Sequence, residues 1–505
     1  MQAMLLRAGL VSLALLLASR LLGLLRESVQ AATLGATGQA DVAILMLTLP
    51  DMLTGILASG ALGYVLLPLW ARQSASAQAV TLKRLAGVLL VGGFVTALTL
   101  VLAPGLITSA LAPGLSETAR ATAHRALLWS ALAMPLAMLA ALWTVRLQHL
   151  RDFTGMYGAN LVVNGAVVGA LLLTMTQMRA DMAAPITWLG WGLLLGMVLR
   201  LLWLGWRTRR AGPPEAPATG TAVEWPHSPI WLWALASAGL PLLLPLLGRS
   251  LASTTGEGAL TTFNYAWKLV ELPLVLAVQL VAALAFPGIA KAFAPRSDLS
   301  AKDPLTRQRD ALRHAFVLAW VLACAAAAAL ASMAPALAQL LFGWGRMPAE
   351  AVAQVGAWGR IGAWSLLPQA LLAVLLTLLA STGRLRSAVA AYGGALVLLA
   401  GLGWAMGEMG AVKGLNGKQV MWAINGALSA AAVVLLVSER DVLRGVLKFA
   451  DLLPAALAAI ALALGANAFE TPEPLHGLIT ALLLAASVAA LAWVFSPGLR
   501  QALRR

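Results

Sequence analysis

Residues 4–31 read MLLRAGLVSLALLLASRLLGLLRESVQA. A single Arg7 precedes an apolar run that continues through Arg20 to Arg26 and Glu27. A cleaved signal would show a small-residue cleavage site after its apolar core. None follows here, so the stretch is expected to be a retained first membrane span. A span needs ~20 mostly apolar residues. The same pattern recurs along the chain, giving fourteen predicted spans at about 4–31, 38–71, 85–111, 118–147, 153–176, 183–206, 228–252, 258–290, 312–341, 349–382, 387–407, 415–437, 450–468 and 475–496. Prolines interrupt the second (Pro50, Pro68) and the eighth (Pro273, Pro287).

Composition agrees. Of 505 residues, 60% are hydrophobic and 11% charged. Soluble domains carry about 25% charge, so this chain has too few charges to coat a water-soluble surface. Disorder is excluded by the same apolar content. The net charge of +15 does not point to nucleic acid, because the basic residues sit at the ends of apolar runs instead of sharing one polar face. With the N-terminus inside, twenty-three Lys and Arg fall on inside loops. Only Arg179, Arg346, Lys413 and Lys418 fall outside. That asymmetry is the positive-inside pattern, and it places both termini in the cytoplasm. Trp70, Trp188 and Trp206 fall near predicted interfaces, as an aromatic belt would. Cys324 is the single cysteine, so no internal disulfide can form. The five histidines show no metal-ligand spacing, and no GxxxxGK[ST] occurs. Catalytic residues, metal and cofactor are therefore all expected to be absent, and no enzyme is predicted.

The expected fold is all-α: a polytopic membrane protein of about 14 helices, with two pseudo-symmetric six-helix lobes plus two C-terminal helices. The domains are an N-terminal lobe at 1–210, a cytoplasmic linker at 211–227, a C-terminal lobe at 228–440, and two extra helices with a basic tail at 441–505. The lobes match at near-constant offset. Pro68-Leu-Trp-Ala-Arg72 corresponds to Pro287-Gly-Ile-Ala-Lys291, and Glu117, Pro135 and Arg151 correspond to Glu350, Pro368 and Arg384. The insertion between the two offsets falls in the loop 295–310. A repeat of six spans is even, so the copies run parallel, and such arrangements place substrate between the lobes near mid-membrane.

Ionisable groups at membrane depth are costly and must face protein or a wet cavity. Arg20, Arg26, Lys268 and Arg249 are the candidate substrate-binding residues. Asp41, Glu271, Glu27 and Asp51 are candidates for gating or coupling. Arg20 and Glu27 are seven apart and share a helical face, with Arg26 pointing elsewhere. Glu27 is expected to orient an arginine, and Lys268 and Glu271 form an i,i+3 pair. Arg120, Arg125 and Arg200 lie near predicted helix ends and read as interfacial cations. Arginine matches phosphate oxygens with two parallel hydrogen bonds, so the excess of cations over carboxylates predicts an anionic ligand such as a diphosphate.

Particular motifs carry a resemblance. Ser19-Arg20-Leu-Leu-Gly23-Leu-Leu-Arg26-Glu27, Ala40-Asp41, Leu49-Pro50-Asp51 and Leu67-Pro68 stand in order, followed by Tyr265-Ala-Trp-Lys268-Leu-Val-Glu271-Leu-Pro273 and Leu341-Phe-Gly-Trp-Gly345. This series resembles the MurJ/MviN family of the multidrug/oligosaccharidyl-lipid/polysaccharide exporter superfamily. The resemblance implies a flippase that carries lipid II, an undecaprenyl-diphosphate sugar, to the periplasmic leaflet of the bacterial inner membrane by alternating access around a cationic cavity. It also implies that the two extra helices line a groove for the lipid tail. Its partners would be the lipid-linked substrate, membrane lipids and a coupling cation, with a monomer expected. The chain departs from the pattern at four places, one being Ala58-Ser59-Gly60-Ala61-Leu62 where the pattern has an acidic-aromatic E-G-A-F. Leu53-Thr54-Gly55 lacks an arginine, Asp51 stands for asparagine, and Lys268 stands for arginine. A flippase for another lipid-linked oligosaccharide, of exopolysaccharide or O-antigen type, is the alternative; a cation-coupled drug exporter fits a basic cavity poorly.

Overall fold

The computed structural model describes residues 2–177, 184–212, 228–279, 304–409, 416–467 and 474–503, with a few isolated positions between 281 and 293. The stretch 213–227 of the predicted linker, the motif at 287–291, most of the loop 295–310, Arg179 and Lys413 lie outside the described residues or largely so. Among the described residues there are helices and no strand.

The chain runs α1 (Gln2–Leu34), α2 (Gly38–Ile56), α3 (Leu62–Trp70), α4 (Ala75–Leu102), α5 (Pro104–Leu111), α6 (Glu117–His149), α7 (Phe153–Gln177), α8 (Ala184–Arg210), α9 (Ser228–Ser253) and α10 (Ala259–Pro273). It continues through α11 (Pro304–Phe342), α12 (Ala349–Gly362), α13 (Leu366–Thr382), α14 (Leu385–Met409), α15 (Gly417–Ser438), α16 (Phe449–Asn467), α17 (Pro474–Phe495) and a short α18 (Pro497–Leu503). Twelve helical segments among the described residues are long and apolar enough to cross a membrane. The other two predicted spans correspond to α1, a helix of 33 residues, and to α10 with its continuation. The chain is a multi-pass membrane protein.

The predicted second span is one helix interrupted by a wide turn. After α2 the backbone winds as a π-turn over Leu57–Ala61 before α3 resumes. Extra residues in a helical turn are typical of functional or bent sites. Here Gly60 lets the turn lie against Ala238 of α9, where any Cβ would collide.

Contacts divide the chain into two units. Unit one holds Met1–Leu242, Gly256–Thr261 and Trp344–Met347; unit two holds Leu243–Thr255, Thr262–Gly343 and Pro348–Arg505. In unit one, α6 is the central helix. It packs on α2, α4 and α8, and α7 packs on α1 and α8. Two-thirds of the apolar part of α6 is buried (67%), against 17% for α4. The exposed Val88, Val91, Phe94, Val95 and Leu98 of α4 are what a lipid-facing helix should present, since water is absent there. In unit two α11 is central, touching α12, α13, α16, α17 and α18.

Each unit carries a partly buried ion pair between partners 55 residues apart. Arg207 grips Asp152 in unit one, and Arg384 donates to Glu439 in unit two at 2.6 Å. Asp152 and Arg384 are 232 positions apart, as are Arg207 and Glu439. The same joint therefore recurs with its charges exchanged, a trace of the repeat that residue-by-residue matching misses.

Candidate functional site

Four ionisable groups come together in unit one. Arg26 of α1 donates from one terminal nitrogen to Asp51 Oδ2 of α2 at 3.0 Å and from the other to Glu27 Oε1 at 2.8 Å. The Arg26 and Glu27 side chains are 11% and 5% exposed, while that of Asp51 is 40% exposed. Glu27 thus orients an arginine as expected, but the arginine is Arg26 and not the face-sharing Arg20. A carboxylate beside a guanidinium on adjacent residues can fold back onto it, so helical phase alone did not decide the pairing.

The fourth member is Arg200 of α8. It is 5% exposed, its Nε has no acceptor, and Asp51 is the carboxylate acting on it electrostatically. Among the described residues no ion pair reaches it. The sequence placed the end of this span at 206, which made Arg200 an end-of-helix cation. The helix runs on to Arg210, so Arg200 lies ~15 Å inside it. The basic residues Arg207, Arg209 and Arg210 continue the helix as favourable last-turn cations, and that is the signal that could have relocated Arg200.

Gln30 also escaped the sequence reading. It is fully buried (0%), yet neither its amide oxygen nor its amide nitrogen has a partner. It stands one turn beyond Arg26 on the same face. Arg26 Nε is likewise buried without an acceptor. Buried polar groups are normally hydrogen-bonded, so a cluster with this many unmet donors is prepared for a polar ligand. Thr54, where the family pattern has arginine nearby, spends its hydroxyl on Pro50 O at 2.9 Å.

The remaining candidates stand separately. Arg20 is exposed, within electrostatic reach of Tyr157. In unit two, Lys268 donates to Glu271 Oε2 at 2.7 Å, with both side chains partly exposed (24% and 31%). Arg249 is half-buried on α9.

Asp41, on α2, is engaged with the segment 256–261 far along the chain. Its Oδ2 accepts from Gly258 N–H at 2.8 Å, and its Oδ1 from Thr261 N–H at 2.8 Å and Thr261 Oγ1 at 2.6 Å. Glu257 answers by accepting from Gly38 N–H at 3.0 Å. Nearby, Trp344 Nε1 donates to Ser28 Oγ at 2.9 Å and Arg346 N–H to Ala32 O at 2.8 Å. These contacts tie 256–261 and 344–347 to the first helices, all within unit one. The close approach needs glycine at two of its turns. Gly258 has φ +80°, and a Cβ there would strike Ala36 O; Gly35 has φ +67°, and a Cβ would sit 2.8 Å from Arg346 O.

Comparison with known proteins bears on this arrangement. The family profile described as lipid II flippase MurJ matches residues 30–469. A probable lipid II flippase MurJ from Rhizobium tropici is 26% identical over 291 residues, covering 54% of this chain and 53% of that protein. A lipid II flippase MurJ from Burkholderia cenocepacia is 24% identical over 365 residues, covering 67% and 66%. The matched region thus spans about half to two-thirds of these relatives' own length. A solved lipid II flippase MurJ in an inward closed conformation superposes with TM-score 0.78 at 15% identity, covering 98% of this chain and all of that one. An inward-facing multidrug transporter of the MATE family gives TM-score 0.60 at 16% identity, over 86% of this chain and 98% of the other. These superpositions share the fold.

Proposed function

The chain belongs to the MurJ family of lipid II flippases, and from that membership we propose that it carries a lipid II-like polyprenyl-diphosphate precursor across the bacterial inner membrane. Transport runs from the cytoplasmic to the periplasmic leaflet by alternating access, with both chain termini in the cytoplasm. The observation that supports this reading most is the cluster of Arg26, Gln30, Asp51 and Arg200, which holds two guanidinium groups and several buried donors without acceptors.

A diphosphate offers what the cluster lacks, namely many acceptor oxygens and two charges. Arginine binds such groups with planar, paired hydrogen bonds. Asp51 occupies Arg26 until the headgroup arrives. It is the most exposed member of the cluster, so it is the partner most readily exchanged. Glu27, nearly buried, keeps Arg26 in position throughout. Arg20 is a further substrate contact in this proposal; Arg249 and Lys268, in unit two, stand as separate substrate-binding candidates, and Glu271 as a candidate for gating or coupling. Asp41 is the gating residue, because releasing the 256–261 segment means breaking three hydrogen bonds to one carboxylate.

Binding of lipid II to the purified chain in nanodiscs tests the reading. Native protein should bind lipid II and discriminate against uncharged polyprenol of equal length. Arg200→Gln should weaken lipid II binding by about tenfold, the value of a charge-assisted hydrogen bond lost from a dry site. Equal affinity for polyprenol, or native affinity in Arg200→Gln, would overturn it.

A further inference from the structure

A second group of buried donors lies in unit one where α3 turns into α4. Trp70, read from sequence as an interfacial belt residue, is fully buried (0%). The Arg146 guanidinium of α6 stacks over its ring at 5.2 Å, and His149 packs against the same ring at 5.4 Å. Arg146 is 7% exposed. Its one hydrogen-bond acceptor here is neutral, Gln78 Oε1 at 2.9 Å. Gln78 in turn donates to Trp70 O at 2.8 Å and Gln73 O at 3.2 Å, and Gln73 Oε1 accepts from Thr81 Oγ1 at 3.2 Å. Each of these oxygens in the knot thus already accepts one hydrogen bond.

Its donors are in surplus. Trp70 Nε1 and Gln73 Nε2 are buried without a partner, and among the described residues no carboxylate pairs with Arg146. The nearest acid in sequence, Asp152, is held by Arg207. A buried charge without a counter-ion is strongly unfavourable, and each unmet buried donor adds a desolvation penalty. What would relieve all three at once is a ligand that only accepts and carries negative charge. The flanking Arg72, Lys83, Arg84 and Arg151 are exposed and add a positive field of the kind that draws phosphate groups at a membrane boundary.

We infer that Arg146, Trp70 and Gln73 form a binding site for a phosphate-bearing anion, either the headgroup of an anionic lipid or free phosphate. This site is separate from the Arg26 cluster and does not depend on what the protein transports. Guanidinium, indole and amide N–H groups would each meet a phosphate oxygen. Cation–π contact with Trp70 keeps the guanidinium in place before the ligand enters.

Titration of the full-length purified chain with inorganic phosphate and with dihexanoyl phosphatidylglycerol tests this. Saturable binding and a rise in melting temperature are expected through mass action. Trp70→Phe keeps the ring and removes only the N–H, so it should bind about tenfold more weakly. Arg146→Gln should lose at least about thirtyfold, and Arg125→Gln, at an exposed cation of the same unit, should stay within about twofold of native. Phosphatidylglycerol binding alone assigns the site to a lipid headgroup; binding of phosphate as well assigns it to the free ion. Absence of saturable binding to either probe would overturn the site, as would native affinity in the folded Trp70→Phe chain.

Discussion

At the scale of single residues, the chemistry turns on which cations are already satisfied. Arg26 and Glu27 were legible in the sequence because two opposite charges stand together inside an apolar run. Arg200 and Gln30 were not. One was hidden by a helix end placed four residues early, and the other is a neutral amide whose importance rests on having no partner. Asp152 shows how much an ordinary loop acid can matter. Burial pushes its carboxyl upward, but hydrogen bonds from Arg207 and Gly155 N–H together with the Arg207 charge outweigh that, holding it below the usual 3.8. A depressed folded pKa stabilises the fold at pH values above the unfolded pKa, and that contribution is lost as pH falls through the folded value. Asp152→Asn should therefore cost about 1–3 kcal/mol at pH 7. The melting-temperature gap between native and variant should close below about pH 4, which thermal unfolding across that range will show.

At the scale of elements, the helices were readable and their interruptions only partly so. Pro50 and Pro68 marked the second span as unusual, yet the π-turn between them packs through Gly60 on a helix far away in sequence, a contact no local pattern encodes. The same holds for α16 and α18. Asp451 opens α16 and is 1% exposed. It accepts from Arg313 Nε and terminal nitrogen at 2.9 and 2.7 Å and from Gly498 N–H at 2.8 Å. Trp320 Nε1 adds a bond to Leu452 O at 2.9 Å. One carboxylate thus joins α11, α16 and the start of α18. Removing one partner of a buried pair costs about 3–5 kcal/mol. Asp451→Ala should lower the melting temperature accordingly and expose 497–503 to limited proteolysis, while Asp441→Ala, at an exposed acid, should do neither.

At the scale of the whole chain, hydropathy and loop charge made the membrane class legible, because water's absence leaves so few ways to build a spanning element, and the ordered motifs from Ser19 to Gly345 carried the family. The exchanged ion pairs, Asp152–Arg207 and Arg384–Glu439, escaped the sequence comparison, which matched like residues with like. Function is the property most directly open to trial. The measurement is the leaflet distribution of lipid II in cells depleted of their own flippase and supplied with this chain. Arg26→Gln alone would strand buried Glu27, so the informative variant is Arg26→Gln with Glu27→Gln, which removes the charge and its partner together. Native chain should return lipid II to the outer leaflet and restore growth, and the double variant, expressed at equal level, should leave lipid II inside. Lipid II remaining in the inner leaflet with the native chain, or full restoration by the double variant, would contradict the account.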